Sequence, residues 1–370
     1  MKIAILGTRG IPNNYGGFEQ FAEYLSAGLA ARGHEVTVYS PHIHPYQQKT
    51  YKNVTVCHIY SPEEKVGAAA NFIYDYLCLK DALKKDFDIL YEAGYHSNAP
   101  SYHLMKQRTR PLLITNMDGL EWKRSKWNKF TRWLIKQLEK LAVKKSHYLI
   151  SDNIGIQQYY RDTFNVESFM ISYGANAVYE YSEALLKKYD LSPHSYYLLI
   201  ARLEPENNIE TILDGYVLSN STLPFVVIGN YKSKYGNTLR EKYTSAKGVQ
   251  FAGSIYHKQE LDNLRHFAKG YFHGHSVGGT NPSLLEAMAS QAMIVAHSNI
   301  FNQSILDADA IYFKNAADVA DSIAILDDMN VEKRNSFISA NLFKIETKYA
   351  WDDIIDSHVN LFESLLNKER

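Results

Sequence analysis

Short apolar runs that stop at a turn and are followed by helical periodicity recur along this chain, and that alternation restricts it to parallel α/β architectures. Lys2–Leu6 is the first such run and ends at Gly7. The loop Gly7–Gly17 follows, with glycines at 7, 10, 16 and 17. Apolar residues then return at helical spacing (Phe18, Phe21, Ala22, Leu25, Leu29) until Gly33 stops the helix and Glu35–Tyr39 begins the next strand. Asn53–Ile59, Ile89–Glu92, Pro111–Thr115, Tyr148–Ser151 and Ser168–Ile171 read as further strands. Ala68–Lys85, Ser101–Arg108 and Trp127–Lys145 read as helices.

The character changes across Ser172–Ser195, which is polar and turn-rich at both ends, and the alternation then restarts. Tyr196–Ala201, Pro224–Ile228, Val249–Phe251, Gly270–His273, Met293–Ala296 and Ala310–Phe313 read as strands separated by helices. An amphipathic helix closes the chain over Tyr349–Asn367. With 370 residues, two domains are the expectation. We place them at 1–178 and 179–346, with 347–370 as a helix packing back on the first. The expected fold class is α/β: two doubly wound, parallel-sheet, Rossmann-like domains facing a cleft. Ligands of such sheets bind beyond the carboxyl ends of the strands, so the loops that follow strands are the informative ones.

Forty basic residues balance forty acidic ones, which argues against a dedicated nucleic-acid binder. Cys57 and Cys78 have no CxxC spacing, so neither a disulfide scaffold nor a cysteine zinc site is expected. The N-terminal apolar run is too short for a signal peptide, and no window is long enough to span a bilayer. A cytoplasmic protein with reduced thiols is the expectation.

Four loops could carry chemistry. Gly7–Gly17 opens onto the N-terminus of the Phe18 helix, where free N–H groups favour an anion; the alternative is a glycine turn with no ligand. It matches neither GxGxxG nor GxxxxGK[ST]. ARLEPENN, 201–208, puts Arg202 just past a strand, placed to bind a diphosphate or to pair with Glu204 or Glu206. HGHSVGGTNPSLLEAM, 273–288, makes a glycine turn into a helix, with Gly279, Thr280, Asn281 and Ser283 at the anion end and Glu286 one turn in. His273 and His275 share one face of an extended segment. With no further ligand adjacent, substrate or structural hydrogen bonding suits them better than a metal. Finally, Thr115–Trp122 offers Asp118 and Glu121 as carboxylates, Glu121 alternatively serving as a helix N-terminal acid.

Together, ILGTRGIPNNYGGFE, NMDGLEWKRSKW, RLEPENN and HGHSVGGTNPSLLEA resemble the family-4 retaining glycosyltransferases of the GT-B fold. Within them they resemble a bacterial subgroup that includes rhamnosyltransferases of capsule and cell-wall polysaccharide assembly. The resemblance spans both halves. It implies that Gly16 and Gly17 face the donor phosphates, that Arg202 binds the diphosphate and that Glu286 holds the ribose. Thr280 to Ser283 would supply backbone N–H groups, and Asp118 would stand near the transferred sugar, where the wider family has a histidine. The family's first acid falls on Gly278, and the lysine that partners the arginine falls on Asn207, which is carried over as a donor-binding position. Glu19, Glu121, His273 and His275 are left as acceptor-side or other cleft candidates.

The implied reaction is attack of an acceptor hydroxyl on the anomeric carbon, with nucleoside diphosphate leaving. The resemblance implies retention of configuration, dTDP-L-rhamnose as first-choice donor, a saccharide or lipid-diphosphate-linked acceptor, and no cofactor beyond the nucleotide sugar. Asp86-Phe-Asp88 and Asp307-Ala-Asp309 match the letters of a metal-binding DxD but lie away from the glycine turns and read as solvated acids, so no metal is expected. Lys123–Lys145 holds nine basic residues against Glu139 alone, interleaved with Trp122, Trp127, Phe130 and Trp133. Such a helix suits an anionic membrane surface, here the inner face of the bacterial cell membrane. The alternative is a solvated face with Trp133, Ile135, Leu138, Leu141 and Ala142 as a buried stripe. Rival functions are a nucleotide-sugar 2-epimerase on the same fold, a hexosyltransferase using a UDP- or GDP-sugar, and a nucleotide-sugar-binding protein without activity.

Overall fold

The computed structural model describes residues 1–14, 16–106, 108–117 and 119–368 and divides into two compact units. The first takes in Met1–Lys123, Trp127–Tyr173 and Trp351–Arg370. The second takes in Arg124–Lys126 and Gly174–Ala350.

The first unit is built on an eight-stranded sheet: β1 (Lys2–Leu6), β2 (Glu35–Pro41), β3 (Thr50–Tyr51), β4 (Val54–Ile59), β5 (Ile89–Glu92), β6 (Leu112–Asn116), β7 (Tyr148–Ser151) and β8 (Phe169–Met170). The strands lie in the order β3-β4-β2-β1-β5-β6-β7-β8. Every pairing is parallel except that of β3 with β4. All of β5 and β6 is buried, as it must be where helices cover both faces, which is why these strands read as unbroken apolar runs. The helices are α1 (Gly17–Ala31), α2 (Glu63–Val66), α3 (Ala70–Ala82), α4 (Lys129–Lys145) and α5 (Ile154–Phe164). The helix expected at Ser101–Arg108 is instead a 3-10 segment over Ala99–Met105, entered through Pro100. The sequence reading missed α5, which buries only Gly155, Ile156 and Tyr160. It is defined by its ends: Asn153 caps Gly155 N–H at 2.8 Å, and Asn165 stops it in the left-handed region.

The second unit carries a six-stranded, wholly parallel sheet: β9 (Tyr197–Ile200), β10 (Phe225–Ile228), β11 (Val249–Gly253), β12 (Gly270–His273), β13 (Ile294–His297) and β14 (Ile311–Phe313). Their order is β11-β10-β9-β12-β13-β14. Around it lie α6 (Ile209–Ser219), α7 (Lys234–Lys242), α8 (Lys258–His266), α9 (Pro282–Ala289), α10 (Ile300–Leu306), α11 (Ala316–Asp328) and α12 (Val331–Lys348). One core cluster includes Tyr197, Leu199, Ile212, Phe225, Phe272, Val295 and Val319. The unanticipated α12 has no apolar stripe to betray it, for only Asn341, Lys344 and Ile345 are buried. Polar anchors hold it. Asn330 caps Lys333 N–H at 2.9 Å, and the Lys344 ammonium meets Leu306 O at 2.6 Å and Asp309 at 2.7 Å. With Asp307 at 3.6 Å, the same ammonium takes up both acids of the second DxD match. In the first match, Asp88 accepts from Lys2 N–H at 2.7 Å and Asp86 is solvated beside the Lys2 ammonium.

The last helix, α13 (Trp351–Lys368), belongs to the first unit and packs on α1. Trp351 stacks on Tyr24 with ring centroids 4.7 Å apart, Phe362 is fully buried, and Arg32 pairs with Asp352 and Asp356. Gly28 makes the close approach possible, since a Cβ there would lie 2.1 Å from Ile355 Cδ1. Among the described residues no helix is long and apolar enough to cross a membrane.

Two outcomes follow from the first unit. Gly28→Val overpacks the α1–α13 contact and lowers the free energy of unfolding by about 1–3 kcal/mol. In an Ile355→Ala background the same change costs much less, and a denaturation double-mutant cycle reads that coupling. The second concerns two buried acids, Glu92 at the end of β5 and Asp75 on α3. Burial, then the neighbouring Asp75, pushes Glu92 up to about 8, and burial pushes Asp75 up to about 7. The folded state therefore holds protons that an unfolded glutamate releases near 4.5, so stability falls as pH rises from about 5 to about 8. Denaturation midpoints measured across that window flatten in Glu92→Gln; an unchanged slope contradicts the assignment.

Candidate functional site

Each sheet reverses its strand order once. In the first unit the chain runs outward from β1 to β2, then crosses to β5 on the other side of β1; in the second it crosses from β9 to β12 in the same way. Doubly wound sheets bind ligands at such a reversal, beyond the strands' carboxyl ends. The loops leaving β1, β9 and β12, with the helices they open, hold most of the residues singled out from sequence.

In the second unit these loops are laced together through their main chains. Asn207, buried, donates its side-chain N–H to Arg202 O at 2.7 Å. Asn208 donates to Gly274 O at 2.8 Å. Ser276 donates both its backbone N–H, at 3.1 Å, and its hydroxyl, at 2.8 Å, to Glu206 O. Arg202 stands out of this lacing. Its side chain is 68% exposed and its pairing with Glu204 is long, at 3.8 Å. Glu206 is buried and accepts from the Ser125 hydroxyl at 2.7 Å, while its Oε1 has no partner among the described residues. Burial opposes its charge, but the hydrogen bonds, Ser125's first, hold it below the usual carboxylate range.

The glycine turn at 278–279 leads to α9. Gly278 has φ +132°, a backbone position closed to most side chains, and nothing lies within 4 Å of where its Cβ would be. Thr280 is buried; Asn281 caps the helix by accepting from Ser283 N–H at 2.9 Å, and Pro282 fills a first-turn position. Glu286 accepts from Arg265 at 2.6 Å. Arg265, 1% exposed on α8, also reaches Asp262 at 3.3 Å and Ser283 at 3.4 Å, and Tyr271 meets the Ser283 hydroxyl at 2.9 Å. Sequence reasoning missed this support. Its signal was thin: one arginine beside Leu264 in the otherwise polar helix α8. Replacing Arg265 removes the buried cation that orients Glu286 and lowers the free energy of unfolding, by up to about 3–5 kcal/mol for a broken buried pair, which a denaturation midpoint reads.

His273 and His275 stack with ring centroids 4.5 Å apart. Burial, with His275 and Arg265 beside it, holds His273 well below its usual range. Burial, then Arg202 and Arg124, lowers His275 to about 3. Both rings are neutral at physiological pH. Among the described residues no three His, Cys, Asp or Glu side chains are grouped to hold a metal ion.

In the first unit Gly16 is the N-cap of α1 and Gly17 its first residue. Glu19 is buried and accepts from Arg9 N–H at 2.9 Å, so it staples the glycine loop, and burial raises its pKa. At the same reversal Glu92 accepts from Asn98 at 2.6 Å and lies against Gly7, where a Cβ would sit 3.1 Å from Glu92 Oε2. A charged residue ending an apolar strand was the available signal for it. Glu121 begins a 3-10 turn, Glu121–Lys123, and accepts from the Trp127 indole N–H at 3.1 Å. Asp118 lies outside the described residues. Beside it, Gly119 O accepts from Tyr95, whose hydroxyl belongs to a cluster with Tyr159 and Tyr160 around buried Glu139.

The family model that matches this sequence covers residues 1–176 and is described as a domain of unknown function, DUF1972. No curated protein matches it. Solved structures share the fold along nearly the whole chain. A sucrose-phosphate synthase from Thermosynechococcus elongatus is similar at a TM-score of 0.80 and 15% identity, over 99% of each chain. A glycosyltransferase from Rickettsia africae reaches 0.75 and 12%, over 99% of this chain and 98% of that one. Anabaena HepE, in complex with UDP and glucose, reaches 0.74 and 13%, over 98% and 100%. Two parallel-sheet, Rossmann-like domains in tandem make the GT-B architecture, and this chain has it.

Proposed function

We propose that this chain is a glycosyltransferase that moves a sugar from a nucleoside diphosphate to a saccharide acceptor. The observation that carries the reading is the second unit's strand-order reversal. There an exposed arginine, a capped helix N-terminus behind a glycine turn, and a carboxylate pinned by a buried arginine share one edge of the sheet. These are the groups a nucleoside diphosphate needs: a cation and backbone N–H groups for phosphate, and an oriented acceptor for ribose hydroxyls. The GT-B fold and HepE's description in complex with UDP and glucose support it.

In the reaction an acceptor hydroxyl oxygen bonds to the anomeric carbon on the face the diphosphate leaves, the bond from that carbon to the diphosphate oxygen breaks, and the hydroxyl proton passes to the departing phosphate. Negative charge gathers on the leaving diphosphate. Arg202 and the N–H groups from Thr280 to Ser283 stabilise it, Gly16 and Gly17 are assigned to the donor phosphates on their motif alone, and no metal or cofactor is required. Glu286 holds the ribose. Asp118 is assigned to the transferred sugar on its motif alone, as are retention of configuration and dTDP-L-rhamnose as donor. We assign the product to bacterial capsule or cell-surface polysaccharide, built on a lipid-linked acceptor at the inner face of the cell membrane.

Helix α4 supports the membrane part. Its inner face buries Ile135, Leu138, Glu139 and Ala142, whereas Phe130 is 70% and Trp133 57% exposed, so Trp133 is no part of a buried stripe. At about 100° per residue, Lys129, Trp133, Lys140 and Lys144 fall on one outward face. Aromatic rings among lysines on a rigid helix fit an anionic bilayer surface.

Binding of dTDP-, UDP- and GDP-sugars by calorimetry tests the donor. A nucleotide sugar binds, and Arg202→Ala weakens it roughly thirtyfold, the worth of a charged hydrogen bond near 2 kcal/mol. Binding of UDP- or GDP-sugars without dTDP-rhamnose rejects the rhamnose assignment, and epimerisation of donor without acceptor rejects transfer.

For the membrane, changing Lys129, Lys140 and Lys144 to Gln removes about 1 kcal/mol each, so co-sedimentation with phosphatidylglycerol vesicles falls roughly a hundredfold. Insensitivity to the triple change rejects membrane docking.

A further inference from the structure

We infer that the stacked imidazoles of His273 and His275 read the hydroxyl groups of the transferred sugar. The inference rests on the glycosyltransferase reading and gives it the sugar-binding side chains that the motif comparison left missing at Gly278.

The segment around these rings is fixed through its backbone. Gly274 O accepts from Asn208 at 2.8 Å, and His275 O accepts from Asn299 and Asn302, each at 3.0 Å. Gly274 lies so close to Asn207 O that a Cβ would come within 2.0 Å of it. The rings themselves are unspent. His273 is 1% exposed, and neither of its nitrogens has a hydrogen-bond partner among the described residues; nor does Nδ1 of His275. Leaving buried polar atoms unpaired is costly, and a fold retains them where something else completes them.

The chemistry of the rings selects the ligand. A neutral imidazole presents one N–H donor and one bare nitrogen acceptor. A sugar hydroxyl is likewise donor and acceptor and can satisfy both. A phosphate oxygen only accepts, so it leaves the bare nitrogen unmatched. Burial keeps both rings neutral, with Arg202 and Arg124 acting in the same direction on His275, which removes the charge a phosphate site would want.

Position agrees. Tyr271, His273 and His275 follow one another at i, i+2, i+4 along β12 and its extension. The Tyr271 end meets Ser283 beside the Arg265–Glu286 pair, assigned to ribose. The His275 end feels Arg202, assigned to the diphosphate. The row therefore runs from the ribose end toward the diphosphate, to which the transferred sugar is joined.

The test compares UDP, GDP and dTDP with UDP-glucose, GDP-mannose and dTDP-L-rhamnose by calorimetry on the full chain and on His275→Ala, His275→Asn and His273→Phe. The unaltered chain binds its sugar nucleotide more tightly than the matching diphosphate. His275→Ala loses that margin, about fivefold for one neutral hydrogen bond, and leaves diphosphate affinity unchanged. His275→Asn, which keeps a donor and an acceptor, restores part of it. His273→Phe fills the space, raises the melting temperature and also loses the margin. Equal loss for diphosphate and sugar nucleotide in both His275 variants, or no loss in either, overturns the inference while the glycosyltransferase reading stands. Failure of the unaltered chain to bind any of the six overturns both.

Discussion

Gly274 has no room for a side chain, and the candidate site of the second unit is organised around that fact. The carbonyl of Asn207 occupies the space a Cβ would need. This close approach brings the loop after β9 against the loop after β12, and the amide of Asn208 and both donors of Ser276 then bind across. Adjacent strands whose connections leave in opposite directions ordinarily open a gap at their ends. Here hydrogen bonds onto main-chain carbonyls close the floor of that gap, so Arg202 and the glycine turn project from a fixed base. Such a base fixes the backbone from which the exposed Arg202 side chain extends.

The same economy governs the buried charges. Arg265 is desolvated, yet Asp262, Ser283 and Glu286 surround it. Buried pairs contribute little net stability because desolvation offsets the attraction. What they supply is orientation, and Glu286 on a short helix gains a defined rotamer from a partner on the neighbouring helix. In the first unit the counterpart is opposite in kind. Burial favours the protonated forms of Glu92 and Asp75, and the Glu92 carboxyl rests against Gly7 with Asn98 as a donor.

How much of this the sequence disclosed follows from which physics was local. Strands such as Ile89–Glu92 and Leu112–Asn116 are buried on both faces, so their apolar runs announce them. Arg202, Gly278 and Glu286 were legible because glycine turns, caps and strand ends leave marks within a few residues. Helix α12 was not, for Lys344 finds its partners at Leu306 and Asp309, far away in sequence. Arg265 was hidden for the same reason: its meaning depends on Glu286 and Ser283, which only the fold brings near. The pairing of Trp133 with a buried stripe failed because α4 buries a narrower face than its apolar content allows.

That narrow face is itself informative. Glu139 stands in the middle of it, wholly buried, and accepts hydrogen bonds from Tyr95 at 3.4 Å, Tyr159 at 2.9 Å and Tyr160 at 3.0 Å. A carboxyl ringed by donors fixes the rotation of α4 about its axis, since turning the helix to bury Trp133 would drag Glu139 out of its partners. The exposure of Phe130 and Trp133 is therefore imposed by the fold and not a loose surface rotamer. Tyr95 also reaches Gly119 O. One buried acid thus governs which residues α4 shows to its surroundings, and through the Tyr95 hydroxyl it is joined to the Gly119 carbonyl.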